Sequence, residues 1–201
     1  MVPAATALAR TAAAPVPLAE LPDPILAESG ELRIKFQPRG ASIASFLYPG
    51  PLGPVELVHD PRPGFFATWP ELKFNPASDG NPLAFEATHP SSARIRKEYL
   101  FSGKEGLHTL RLTLVNPTLE PIELRDLAIE LGPGLGPVER EIKENPTQWS
   151  NLALLPPAPG KQRDRIELFT TKDELKEHGP GWRWLGVHNR YFLAALIPPP
   201  E

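Results

Sequence analysis

The sequence predicts a mainly all-β chain, a large antiparallel sandwich with one or two short helices near its C-terminal end. Three observations carry this. Apolar and polar residues alternate with period two in one segment after another. Proline and glycine, 27 and 15 of 201 residues, punctuate those segments at a density that helix interiors tolerate badly and loops between strands tolerate well. No succession of strand-like and helix-like stretches suggests a parallel sheet. With 41% apolar residues the chain can fill one sizeable core, and neither an internal repeat nor a composition break divides it.

Residues 1–24 are Ala/Pro-rich and read as a flexible linker; Pro3, Arg10, Pro15 and Pro17 break the apolar run that a signal peptide needs. Residues 25–198 are expected to form a single domain, with 199–201 as a tail. The first strand shows Leu32, Ile34 and Phe36 on one face and Glu31, Arg33 and Lys35 on the other. Pro38-Arg39-Gly40 turns the chain into a second strand over Ser42–Tyr48. From Asp60 to Pro90, prolines separate Phe65, Phe66, Trp69, Phe74 and Phe85, so short strands and ordered loops should carry these rings into the core.

The clearest signal follows. Ile95, Tyr99 and Phe101 share one parity, and Leu110, Leu112 and Leu114 alternate with Thr109, Arg111 and Thr113, as two strands of one hairpin would. The basic run Arg94-Ile95-Arg96-Lys97 reads as a solvated strand face. Ile122 and Leu124 are out of phase with Leu127, Ile129 and Leu131, which places a bulge or a change of sheet at Arg125-Asp126. Arg165–Phe169 is a further strand, Thr171-Lys172-Asp173-Glu174 has the spacing of a capping box that opens a short helix, and Tyr191–Ile197 is a buried closing strand.

Composition excludes several functions. The 21 Lys+Arg and 24 Asp+Glu give a net charge of −3, without the basic footprint that nucleic-acid binding requires. No cysteine is present for a disulfide or a thiolate metal site, and His59, His89, His108, His178 and His188 show no metal-ligand spacing. No run approaches the roughly 18 apolar residues of a membrane-spanning helix. Gly40-Ala41-Ser42-Ile43-Ala44 lacks the second glycine of a nucleophile elbow. Gly132-Pro133-Gly134-Leu135-Gly136-Pro137 offers too few N–H groups, next to Glu139, Glu141 and Glu144, to cradle phosphate. The carboxylate pairs Glu139/Glu141 and Asp173/Glu174 have no cleft assigned to them. No metal and no cofactor is expected. Trp182 and Trp184, one residue apart on an extended segment, should face the same side and either fill the core or stack on a ligand.

The stretch from Trp184 to Pro198, with Gly186, Asn189, Arg190, Tyr191 and Phe192 followed by Ala195-Leu196-Ile197-Pro198, resembles the W-x-G-x-x-N-[KR]-Y-F … A-L-I-P segment of YidC-type membrane-protein insertases. That segment ends the large periplasmic domain of the family. Weaker matches lie upstream in the same order: Arg39-Gly40-Ala41-Ser42-Ile43, the K-x-Y-x-F strand Lys97–Phe101, and the strand end at Asn116. The resemblance implies a β-supersandwich of the galactose-mutarotase-like type, at the periplasmic face of the bacterial inner membrane. It also implies a soluble piece of a multi-pass protein, cut before the next membrane segment. A non-catalytic role is implied, accessory to membrane-protein insertion and folding. The implied partners are SecDF and other Sec translocon components, nascent membrane proteins, and the membrane part of the same chain. Gly40, Tyr99, Asn116, Trp184, Gly186, Asn189, Tyr191 and Phe192 would then be structural. The alternative is a sugar-binding or aldose-epimerase-like protein on the same fold. An epimerase would set His108 against a carboxylate such as Glu98, and a binding module would expose Trp149, Trp182 or Trp184.

Overall fold

The structure, a computed structural model, describes residues 25–29, 32–50, 53–58, 64–101, 108–124, 127–131, 135, 150–169, 182–188 and 192–198. Among the described residues run fourteen strands and no helix, as the dominance of period-two patterning requires. β1 (Ile25–Ser29), β2 (Leu32–Gln37), β3 (Ser42–Gly50) and β4 (Gly53–Glu56) form one antiparallel meander. β6 (Asn75–Pro76), β7 (Ala84–Thr88), β8 (Arg94–Phe101) and β9 (His108–Val115) form a second. A third sheet has the order β12 (Arg165–Phe169), β11 (Ser150–Leu155), β13 (Trp184–His188), β14 (Leu193–Leu196). A short ribbon pairs β5 (Ala67–Thr68) with β10 (Ile129–Glu130).

Alternation drives the first two sheets together. Ile34 and Phe36 of β2 bury against Phe85 of β7 and Ile95 and Tyr99 of β8, the Phe36 ring lying 4.9 Å from both the Phe85 and Tyr99 rings. Each such aromatic contributes about 2–3 kcal/mol by leaving water. Phe65, Trp69, Phe74 and Phe85 all reach this core from the proline-rich segment, as their spacing predicts. The third sheet joins it through Val187 and Ala194, with Phe192 just ahead of β14, and keeps a smaller cluster of its own around Ala153 and Leu155.

Lys97 departs from the expectation of a solvated basic face. It is wholly buried, because strand alternation places it on the inward row with Ile95, Tyr99 and Phe101, while Arg94 and Arg96 take the outer side. Its Nζ donates to the Gly40 carbonyl at 2.8 Å and to the Phe66 carbonyl, and lies 5.4 Å from the Tyr99 ring centre. The Tyr99 hydroxyl donates to the Ala41 carbonyl at 2.5 Å. Gly40, Ala41 and Phe66 all have left-handed backbone, with φ of 65°, 43° and 59°. For Ala41 and Phe66 that conformation costs about 1–2 kcal/mol each. The donors of β8 therefore land on the carbonyls of three left-handed residues and hold the turn after β2 against the turn before β5. Gly40 has a second reason to be glycine: a Cβ there would stand 3.1 Å from the Thr68 nitrogen and 3.2 Å from the Ala67 Cβ.

Two other expectations change. Ile122 and Leu124 belong to no strand, in a stretch where Pro117 and Pro121 lack the donors a strand would use. The bulge or change of sheet expected at Arg125-Asp126 lies outside the described residues; a register shift not expected from the sequence lies between Lys35 and Phe36 on the β2–β3 pair. The closing strand is an edge and not a buried one, with Leu193 57% exposed. The capping-box helix, the linker at 1–24 and the tail at 199–201 also lie outside the described residues.

Burial pushes the Lys97 ammonium well below its ordinary value of 10.5 and the Tyr99 phenol well above 10.0. The unfolded chain then holds more protons than the folded one between the lowered Lys97 value and about 10.5, so stability rises with pH through that window. Above about 10 the Tyr99 contribution is lost as the unfolded phenol ionises first. Lys97→Met, which removes two hydrogen bonds, should lower stability by about 1–3 kcal/mol at neutral pH. The same variant should flatten the rise toward pH 10, and urea titrations at several pH values check both effects.

Candidate functional site

The side chains singled out in the sequence do not converge on one place. On the outer face of the second sheet Arg96 is a hub. Its guanidinium contacts Asp79 Oδ2 at 2.6 Å, Glu86 Oε1 at 2.8 Å and Glu98 Oε1 at 2.9 Å. These contacts raise the Arg96 pKa further, the Glu98 bond first, while the N–H of Asn81 and then the Arg96 guanidinium hold the Asp79 carboxyl below its usual range. Arg111, opposite Glu98 on β9, approaches the other oxygen of that carboxylate at 3.7 Å. The network lies at the surface, where screening keeps such pairs weak.

His108 is paired with Phe101 across the β8–β9 ladder, so it belongs to the inward row, whereas Glu98 belongs to the outward row. The two groups face opposite sides of the sheet and cannot act on one substrate. The His108 ring rests against Phe101 at 4.9 Å and Phe46 at 6.0 Å, and partial burial lowers its pKa. Among the described residues no group of three His, Asp or Glu side chains is placed to hold a metal ion. A groove of about 420 Å³ beside the β3–β4 hairpin is lined by Arg33, Leu47, Pro49, Gly50, Gly53 and Pro54, without an acid or an imidazole.

The aromatic C-terminal region is divided. Trp182, like Leu185, packs on the cluster of Ala153 and Leu155, while the bend at Arg183, whose N–H donates to the Leu154 carbonyl at 2.7 Å, precedes β13. Trp184 then pairs with Leu154 and by alternation lies on the face opposite Leu185 and Val187. The two indoles thus lie on different sides and form no common platform. Trp149 lies outside the described residues, as do Asn189 and Tyr191. Phe192 packs against the main core. Gly186 is buried where β13 meets β14, and a Cβ there would lie 2.9 Å from the Ala194 carbonyl oxygen and 3.2 Å from Leu193 Cδ1. Asn116 caps a turn: its Oδ1 accepts from the Thr118 N–H at 2.9 Å and its Nδ2 donates to the Glu120 carbonyl at 2.8 Å.

Nothing in the sequence pattern marks Phe66 as an acceptor of Lys97 or Ala41 as the acceptor of Tyr99, and the burial of Lys97 itself was missed. The signal was present in the parity of Lys97 with Tyr99 and Phe101, but a lysine within a basic run is ordinarily solvated.

What these residues define is an all-β protein of packed antiparallel sheets whose buried Lys97 and Tyr99 are engaged in holding its own turns. In sequence it is similar to the membrane protein insertase YidC of Endomicrobium trichonymphae, with 29% identity over 145 residues that cover 72% of this chain. The chain spans about a quarter of that protein, 26% of its length. No protein-family model and no solved structure matches the chain. The YidC-type resemblance therefore rests on alignment over most of the chain as well as on its short motifs.

Gly186→Ala must push the Ala194 carbonyl or the Leu193 side chain aside. A loss of about 1–3 kcal/mol is expected, measured as a lower urea midpoint with an unchanged slope.

Proposed function

We propose that this chain is the non-catalytic periplasmic domain of a YidC-type membrane-protein insertase, accessory to the insertion and folding of membrane proteins. The observation that carries the reading is the 29% identity to a membrane protein insertase across 72% of the chain. One structural feature supports it. The K-x-Y-x-F and G-A-S-I motifs meet in a single buried clamp, which gives both a structural reason. In this reading Gly40, Tyr99, Asn116, Trp184, Gly186, Asn189, Tyr191 and Phe192 maintain the fold. SecDF, other Sec translocon components and emerging polypeptide are the partners, and the domain stands on the periplasmic side of the inner membrane.

The epimerase alternative loses its first pair, since His108 and Glu98 occupy opposite faces of one sheet.

The test uses the full-length protein in bacterial cells. Alkaline phosphatase fused after Pro198 should be active, as export to the periplasm requires, and the intact protein should co-purify with SecDF in a manner lost when residues 25–198 are deleted. An inactive fusion, or co-purification indifferent to the deletion, contradicts the proposal.

A further inference from the structure

The second sheet ends on β9, and among the described residues β9 pairs only with β8. Among the described residues, then, alternate N–H and C=O groups along its outer side meet no strand. The remaining sheet edges are short or blunted. β4 has four residues including Pro54, β6 has two including Pro76, β14 has four and runs into Pro198, and β1 and β12 have five each. β9 has eight residues, no proline or glycine, and an unbroken register with β8 from Arg94↔Val115 to Phe101↔His108. Proline, a bulge and short length, devices that ordinarily blunt such an edge, are absent from β9, and Arg111 is its one charged side chain.

Its two faces specify what fits. One row is His108, Leu110, Leu112 and Leu114, continuing the inward row of Ile95, Tyr99 and Phe101; the other is Thr109, Arg111, Thr113 and Val115. Arg111 is 60% exposed and only loosely engaged, because the carboxylate it approaches at 3.7 Å is held more closely by Arg96 at 2.9 Å. We propose that β9 is a strand-addition site for an extended segment of another polypeptide, apolar at alternate positions and bearing a carboxylate opposite Arg111. A second copy fits less well, since the β9 sequence His-Thr-Leu-Arg-Leu-Thr-Leu-Val contains no acidic residue, and a two-fold centred on Arg111 opposes like charges. Backbone pairing supplies the binding, and the side-chain rows supply the choice of partner. The inference deepens the proposed function by placing polypeptide contact at one edge, and it relies on that reading only for the source of the strand.

The probe is a labelled, capped peptide, Thr-Val-Thr-Val-Glu-Val-Thr-Val, used at concentrations where it is monomeric, with the 201-residue chain. Fluorescence anisotropy should show binding, and amide exchange should slow at alternate residues of β9. Replacing the peptide Glu by Lys should weaken binding about tenfold, and Arg111→Glu, checked for unchanged thermal unfolding, should invert that preference. N-methylation at alternate peptide positions, on the side facing β9, should abolish binding. Equal binding of the Glu and Lys peptides, indifference to Arg111→Glu, protection elsewhere than β9, or no binding overturns the proposal. So does concentration-dependent protection of β9 without peptide, which would make a second copy the occupant. Peptide binding that persists while SecDF co-purification fails removes the insertase reading and leaves the edge site standing.

Discussion

Three carbonyl oxygens, those of Gly40, Ala41 and Phe66, sit on left-handed backbone in the interior, and β8 supplies the donors that reach them. Buried carbonyls in tight turns must be paired, and the β8 groups add to the ribbon contact in which the Thr68 N–H donates to the Gly40 carbonyl at 3.0 Å. Lysine and tyrosine suit the task because both carry a polar tip on a long apolar stem. Each bond contributes about 1 kcal/mol, comparable with the backbone strain it offsets. The clamp thus contributes less to total stability than the aromatic core around Phe36, Phe85 and Tyr99. What it fixes is the position of two turns, and with them the seating of the first sheet on the second.

Much of the fold was legible because strand alternation is a local property. The β8–β9 hairpin, β2, β3 and β12 lie where period-two patterning places them, and the aromatic residues of the proline-rich segment are buried as expected. Less legible was anything set by distant partners. Lys97 reads as solvent-facing beside Arg94 and Arg96 until its parity with Tyr99 is weighed against its charge, and its acceptors lie 57 and 31 positions away. Trp182 and Trp184 read as a pair, yet the bend at Arg183 sends one indole to the Ala153 cluster and leaves the other on the opposite face. The closing strand reads as buried from composition alone, because edge position depends on the order of strands in the sheet.

Strand register also decides one catalytic pairing: it sends His108 and Glu98 to opposite sides of a sheet, so those two groups cannot serve as acid and base across a cleft. A binding scaffold needs a rigid sheet that presents a long open edge. Eight-residue pairing with β8, itself anchored inward by Lys97 and Tyr99 and outward by the Arg96 network, gives β9 the rigidity that the proposed strand-addition site requires. Stability and presentation are thus coupled through one strand.

The claim on which this account depends is that the Lys97 amine is enclosed and bonded to the chain's own carbonyls. Nitrogen-detected NMR of the lysine side chains, titrated with pH in the folded chain, tests it most directly. One Nζ resonance, assigned by its loss in Lys97→Arg, should titrate well below the others and carry slowly exchanging protons. A Lys97 resonance that titrates with the surface lysines and exchanges at their rate would show a solvated side chain and contradict the clamp.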